Sequence, residues 1–287
     1  MTVRTESLEL ENEASLKKAT QVGASLVRTA LPGLLIAMPL GALDQTAITP
    51  ALPVVAAELG GLDQMPAVVT SYLAAATAVM PVYGKLGDRF GRKWVLLVAV
   101  ALFVVGAVLC ASVSTMRQLI AFRALQGLGA GGPMVGPQAV IGELVSPRER
   151  VRYLGFIGAV YIVAAVGGPV LGGLVVETLG WRWIFTLYPP LGALAFVVLA
   201  LTLRLPRPSE RLPIDYPGAV ALAATVVALI FFSQTRHLAW LVVIAVAGTA
   251  WVISTRFAGD PILPFRLLRG RDSQCHLQAM RCRWFSR

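Results

Sequence analysis

The chain has 287 residues, of which 56% are hydrophobic and 14% are charged, and its formal net charge is +10. Soluble domains are about 45–50% apolar and about 25% charged, so this composition excludes an ordinary soluble domain. The basic residues lie in short gaps between apolar runs, which argues against a nucleic-acid partner and is typical of membrane proteins. Each run is close to the ~20 residues that a helix needs to cross a bilayer. The sequence therefore predicts an all-α integral membrane protein embedded in the lipid bilayer.

The predicted elements begin after a polar tail, residues 1–30, which carries no signal peptide and is expected to be cytoplasmic. Eight apolar spans follow, at 32–57, 66–84, 94–113, 118–142, 152–176, 183–203, 216–235 and 237–256. The first six fall within residues 31–203, a cytoplasmic loop occupies 204–215, two additional helices occupy 216–256, and a cytoplasmic tail occupies 257–287.

The charges of the loops predict the orientation of the spans. Cytoplasmic loops carry an excess of Lys and Arg. With the N-terminus inside, the inner loops hold ten basic residues and the outer loops three. We therefore expect a multi-pass protein of the cell (plasma) membrane with both termini in the cytoplasm.

One short stretch, Gly84 to Lys93 (GKLGDRFGRK), concentrates five charges and three glycines between spans two and three. The charges predict an inner turn that is held in water. The glycines allow a tight turn and a close approach of two helix ends. Asp88 is placed to meet the positive N-terminal end of another helix.

This stretch resembles the loop signature of the major facilitator superfamily, and other segments extend the resemblance. LDQTAITPALP (43–53) is similar to the first-helix motif of drug:proton antiporters, although Thr49 and Pro50 depart from it. RALQG (123–127) resembles the Arg-x-x-Gln-Gly motif, and GGPVLGG (167–173) resembles the antiporter motif of exporters. WRWIF (181–185) is similar to the fourteen-helix, EmrB/QacA-type branch.

The resemblance covers about residues 31 to 270. It implies that residues 31–203 are the six-helix N-terminal half of a transporter, that 216–256 add two transmembrane helices, and that the C-terminal half is absent. Residues 273–287 (SQCHLQAMRCRWFSR) are neither apolar nor patterned, and we expect a changed reading frame or an artificial end there.

Asp44 lies midway along span one, where a charge costs about 2.5–3.5 kcal/mol. We therefore expect it to face a cavity or a partner and not lipid. A carboxylate held away from water is suited to binding a proton. The resemblance implies a role in proton coupling; the alternative is a structural hydrogen bond to a neighbouring helix.

Arg123 lies near the outer third of span four, with Gln126 one turn later. The resemblance implies that this pair takes part in proton movement or holds the acidic site. The alternative for Arg123 is outward snorkelling of its long side chain to the membrane surface. Spacing alone leaves open whether Arg123 pairs with Asp44.

Two further groups of residues are implied by the resemblance. The first is a gating loop that braces against the second transporter half, formed by Gly84, Gly87, Asp88, Arg89, Gly91 and Arg92. The second is the antiporter motif at the interface between halves, formed by Gly167, Gly168, Pro169, Gly172 and Gly173. Span five also has two rows of small residues that favour close helix packing, so packing within one half is the alternative. The rows are Ala164/Gly168/Gly172 and Ala165/Pro169/Gly173.

GLGAGG (127–132) satisfies G-x-G-x-x-G but lies inside an apolar span, so it predicts tight helix packing and not a nucleotide site. Phosphate-loop and hydrolase motifs do not occur in the sequence. Cys275, His276 and Cys282 lack the spacing of a metal site. We therefore expect a protein that is not an enzyme, binds no metal or cofactor and draws its energy from a proton gradient.

The leading prediction is proton-coupled antiport (efflux) of drugs or other amphipathic small molecules. Its partners would be protons, a drug-like substrate, and either a second copy of the chain or a C-terminal half. The alternatives are a metabolite transporter of the same superfamily and a truncated membrane fragment that does not transport.

Overall fold

The computed structural model describes residues 30–145, 147–203, 216–235 and 237–257. Helices account for nearly all of these residues, and no strand occurs among them. The helical segments are α1 (Ala30–Leu59), α2 (Met65–Phe90), α3 (Arg92–Ala111), α4 (Met116–Leu144), α5 (Pro147–Thr178), α6 (Arg182–Thr202), α7 (Tyr216–Thr235) and α8 (Ala239–Phe257). The predicted all-α fold with about eight helices is confirmed. The predicted tails and the 204–215 loop lie outside the described residues, apart from Ala30 and Phe257 at their edges.

Five of the described segments, α1, α2, α3, α5 and α6, are long and apolar enough to cross a membrane. The helices α7 and α8 contain shorter apolar stretches, Val220–Leu229 and Ala239–Ser254. The helix α4 is long but contains two arginines, two prolines and many glycines. Its neighbours α2 and α3 both pack against it, so protein surrounds much of its surface. The chain is therefore a multi-pass membrane protein.

Glycines on two faces of α4 allow this close packing. A Cβ atom at Gly127 would meet the backbone of Tyr72 on α2, and one at Gly129 would meet the backbone of Phe103 on α3. Glycine at such positions lets two helix backbones approach. The prediction that GLGAGG (127–132) serves helix packing is confirmed.

The helix α1 is interrupted where the sequence departs from the first-helix motif. Thr49–Ala51 form a 3₁₀ turn, and the α-helix resumes at Leu52–Leu59. Pro50 has no backbone N–H to donate to the preceding turn, which favours a local break. The break separates the segment that carries Asp44 from the segment that ends at Leu59.

The predicted turn over Gly84 to Lys93 is wrong. The helix α2 continues through Phe90, α3 begins at Arg92, and only Gly91 lies between them. Gly91 has φ 91° and ψ 132°, a conformation that side chains with a Cβ disfavour. The charged residues before Gly91 lie in the last turns of α2. Charge predicts contact with water, but it does not by itself end a helix.

The described helices fall into two compact units, α1–α6 and α7–α8. In the first unit the largest buried side chains include Trp181, Phe103 and Phe185. In the second unit α7 packs against α8, and the rings of Phe231 and Trp240 stack with their centroids 5.1 Å apart.

Candidate functional site

Three predicted site residues meet inside the first unit. The side chains of Asp44, Arg123 and Gln126 are fully buried. Arg123 Nη1 donates to Asp44 Oδ2 at 2.6 Å and to Gln126 Oε1 at 3.0 Å. Gln126 Nε2 donates to Asp44 Oδ1 at 3.2 Å. Each oxygen of the carboxylate therefore has a donor, and we call these three residues the buried polar cluster.

The helices explain how the cluster forms. Arg123 and Gln126 are three residues apart on α4, so they share one face of that helix. The glycines that follow them bring α4 against α2 and α3. Asp44 comes from α1, 79 positions earlier in the chain than Arg123. The snorkelling alternative for Arg123 is wrong, because its side chain has no exposed surface and forms an ion pair with Asp44.

Aromatic rings cover the parts of Arg123 that do not touch the other two members of the cluster. Its guanidinium carbon lies 4.1 Å from the ring centroid of Tyr72 and 5.7 Å from that of Phe185. Nε and Nη2 of Arg123 have no hydrogen-bond partner among the described residues. Such cation–π contacts stabilise a desolvated cation. The cluster therefore holds its arginine with one carboxylate, one amide oxygen and two rings.

The sequence analysis missed Tyr72 and Cys110. The Tyr72 hydroxyl donates to the carbonyl of Gly41 on α1 at 3.1 Å. Cys110 Sγ lies 3.6 Å from Gln126 Oε1. Neither residue belongs to a motif; the available signal for Tyr72 was that a tyrosine hydroxyl in an apolar span needs a partner when buried.

One small-residue row of α5 packs against α1, close to Asp44. Thr46 Oγ1 donates to the carbonyl of Ala164 at 3.0 Å. A Cβ atom at Gly168 would meet Thr46, and one at Gly172 would meet the backbone of Ala47. This row therefore does what the alternative reading proposed, which is packing within one half.

The other row of α5 lies on a different face. In this row, Ala165/Pro169/Gly173, an added Cβ atom at Gly173 would meet nothing within 4 Å, and Pro169 is exposed. Gly167, which belongs to neither row, likewise has open space where a Cβ atom would lie. Val163 and Val170 nearby are each 70% exposed. Nothing in the first unit's described residues covers this apolar face of α5.

The predicted gating residues lie at the junction of α2 and α3. Gly84, Gly87, Asp88 and Arg89 are in the last turns of α2, and Arg92 is the first residue of α3. Asp88 Oδ1 and Arg92 Nη2 form an ion pair at 2.9 Å across the break. The guanidinium of Arg89 lies 5.4 Å from the ring centroid of Phe90. The segment therefore consists of two helix ends that meet at Gly91 and is not a loop.

A second polar group, which the sequence analysis did not identify, joins the C-terminal end of α1 to the N-terminal end of α6. Glu58 pairs with Arg182 and accepts a hydrogen bond from Trp181 Nε1 at 2.7 Å. Arg182 Nη2 also donates to the carbonyl of Val113, which precedes α4, at 3.3 Å. The WRWIF segment thus ties three parts of the first unit together.

Ionisable residues buried among membrane-spanning helices are typical of membrane transport proteins. The Major Facilitator Superfamily model matches residues 34–267, and the chain belongs to this family. It is 33% identical over 249 residues to multidrug resistance protein 3 of Bacillus subtilis, covering 83% of this chain and 49% of that protein. It is 34% identical over 265 residues to the multidrug transporter protein MdtP of the same organism, covering 88% and 49%.

The crystal structure of the human organic anion transporter MFSD10 has a similar fold, with a TM-score of 0.56, 18% sequence identity, and coverage of 70% of this chain and 54% of that one. The chain spans about half the length of the curated relatives it matches.

Proposed function

We propose that this chain takes part in proton-coupled efflux of amphipathic or cationic small molecules. The observation that carries the proposal is the buried polar cluster, in which a carboxylate and a guanidinium are held together away from water. Retaining such a pair is costly unless it serves a purpose, because replacing it by apolar residues is often neutral or stabilising. A proton that binds Asp44 would remove one of the two charges and weaken the tie between α1 and α4.

This change of charge is the step that would couple protons to substrate. Transporters of this architecture rock one helical half against the other around a site near the bilayer midplane. With Asp44 ionised, Arg123 holds α1 against α4; with Asp44 protonated, the two helices can separate and the substrate path can open to the other side. The proton gradient supplies the energy, and the chain needs no metal or cofactor.

The apolar face of α5 and the α2–α3 junction are proposed to meet a second helical half. Within the described part of the first unit, Val163, Val166 and Val170 are exposed and form an apolar surface, and a working transporter would bury it against further helices. Those helices would come from a second copy of the chain or from a C-terminal half. The Asp88–Arg92 pair would then brace the inner gate against that half.

The substrate class and the location are proposed from the relatives. Similar proteins are named for multidrug resistance, multidrug transport and efflux, which supports a drug-like substrate. We propose a plasma-membrane location with both termini in the cytoplasm.

The test is dye transport driven by a pH gradient, in lipid vesicles that contain this chain alone. Asp44→Asn should abolish the transport that depends on the gradient. Asp63→Asn is the matched control, because Asp63 is an exposed carboxylate in the 3₁₀ turn before α2, and it should transport like the unmodified chain. Absence of transport by correctly inserted protein would favour the membrane-fragment alternative, and equal transport by Asp44→Asn would contradict the role of Asp44.

A further inference from the structure

A cavity of about 110 Å³ lies between α1, α5 and α6 in the first unit, and the proposed function does not use it. Its floor is the contact between α1 and α5, where Gly168 and Gly172 bring the two backbones together. The lining side chains are aliphatic with one exception, which is Tyr188 on α6. The cavity is therefore an apolar space with one polar group in its wall.

The exposed part of the lining belongs to α5 and α6. Leu171 on α5 is 53% exposed, and Leu187 and Leu191 on α6 are each 42% exposed, whereas Ala47 on α1 is buried. The mouth of the cavity therefore lies between α5 and α6 on the surface of the first unit. All three helices are long and apolar enough to cross a membrane, so a molecule dissolved in the bilayer hydrocarbon would reach the cavity between α5 and α6.

Tyr188 brings a hydroxyl to this wall. Its side chain is 4% exposed, and its ring packs edge-on against Phe103 with 5.6 Å between the centroids. The hydroxyl forms no hydrogen bond with any residue that the structure describes. A buried tyrosine hydroxyl usually has a partner, because leaving a buried donor unpaired costs free energy. A ligand in the cavity would supply that partner.

The size and the lining of the cavity define the ligand. An engineered apolar cavity of about 150 Å³ binds benzene, so a space of about 110 Å³ with an open mouth accommodates one aromatic ring. None of the described residues that line it is charged, so a charged group would lose its hydration there without gaining a partner. A plain hydrocarbon chain would leave the hydroxyl of Tyr188 unpaired. The ligand that fits best is neutral, one ring in size, and carries a hydrogen-bond acceptor.

We propose that this cavity binds a neutral, one-ring aromatic molecule whose acceptor takes a hydrogen bond from the Tyr188 hydroxyl. The ring of the ligand is held by the aliphatic side chains of α1, α5 and α6. Leu43, which lines the cavity, precedes Asp44 in the sequence, but the binding involves neither Asp44 nor Arg123. It requires no proton and no transport, so the inference does not rest on the proposed function.

The experiment is photolabelling of the full chain in phosphatidylcholine vesicles with 4-azidoacetophenone, which is neutral, has one ring and carries a carbonyl acceptor. Phenyl azide is the matched probe without the acceptor. Labelling of peptides from α5 and α6 is quantified by mass spectrometry with and without excess acetophenone, because a competitor suppresses labelling only at a saturable site. We expect labelling of these two helices that acetophenone suppresses.

Three variants test the site. Leu191→Trp fills the cavity from α6 and should abolish the labelling that acetophenone suppresses. Leu194→Trp is the matched control, because Leu194 is an exposed residue of the same helix outside the lining, and it should label like the unmodified chain. Tyr188→Phe keeps the ring and removes the hydroxyl. The concentration of 4-azidoacetophenone that gives half-maximal labelling should rise about 2–10-fold in this variant, and that of phenyl azide should not change.

The proposal is overturned if acetophenone does not reduce labelling of the unmodified chain, a result that does not depend on whether a variant folds. It is also overturned if Leu191→Trp retains the suppressible labelling, or if Tyr188→Phe changes the two probes equally or changes neither. Dye transport driven by a pH gradient separates this inference from the proposed function. Suppressible labelling of a chain that does not transport would refute the proposed function alone, and transport by a chain without such labelling would refute this inference alone.

Discussion

Replacing Arg123 by methionine tests whether the charges of Asp44 and Arg123 stabilise each other in the folded protein. The substitution keeps a long side chain in the space between Tyr72 and Phe185 and removes the cation that pairs with Asp44 at 2.6 Å. Two unit charges about 4 Å apart attract by about 4 kcal/mol at an effective dielectric constant of ~20. Removing one partner of a buried pair typically costs about 3–5 kcal/mol. We expect Arg123→Met to lower the free energy of unfolding by an amount in this range.

A double-mutant cycle separates this charge effect from lost packing. In Asp44→Asn/Arg123→Met no charge remains in the cluster, so the double variant should be more stable than Arg123→Met alone. The coupling energy between the two positions should be about 2–3 kcal/mol. The cost of Arg123→Met should also shrink at low pH, since a protonated Asp44 carries no charge to leave unpaired.

The assay is reversible unfolding in mixed detergent micelles, followed by the fluorescence of the six tryptophans. The cycle needs the unmodified chain, the two single variants and the double variant under one set of conditions. Effects that add to within about 0.5 kcal/mol would show independent sites. That result would refute the argument that the two charges stabilise each other.

Four further substitutions test contacts within the first unit. Gly172→Ala should destabilise the first unit by about 1–3 kcal/mol through overpacking against α1. Gly173→Ala is its control and should be neutral or stabilising, because the added Cβ would meet nothing within 4 Å. Thermal unfolding compares the two variants, and equal effects would contradict the assignment of the two faces of α5. Gly91→Ala should cost about 1–3 kcal/mol because of its positive φ, and an unchanged melting temperature would contradict the tight break between α2 and α3. Glu58→Gln keeps an oxygen that can accept from Trp181 and loses the half-exposed ion pair with Arg182. The free energy of unfolding should therefore fall by less than about 1 kcal/mol, and the difference should vanish in high salt. A larger loss of stability that persists in high salt would contradict this description of the pair.

Much of the fold could be predicted from the sequence, because the length of each apolar run is set by the thickness of the bilayer. The end of α2 could not be predicted, since hydropathy indicates which residues contact water and not where a helix ends. Asp88 is exposed, Lys85 and Arg89 are partly exposed, and all three are still helical; the single glycine at position 91 makes the break.

The sequence predicted which residues belong to the candidate site better than it predicted how they are arranged. The cost of a charge in the membrane indicated that Asp44 would find a partner, but two residues 79 positions apart on different helices give no spacing signal. Tyr72 contributes through its ring face and hydroxyl direction, neither of which leaves a sequence pattern. The two small-residue rows of α5 have the same period of four, so the sequence could not show which one packs against α1.

The measurement that tests the central claim most directly is proton movement driven by substrate. Vesicles that contain the chain and an internal pH indicator are given an outward or inward gradient of a cationic dye, with no initial pH difference. Antiport through Asp44 predicts that protons move against the direction of the dye, and that Asp44→Asn abolishes the proton flux while Asp63→Asn retains it. Dye movement without any proton flux, or a proton flux that survives Asp44→Asn, would contradict the account.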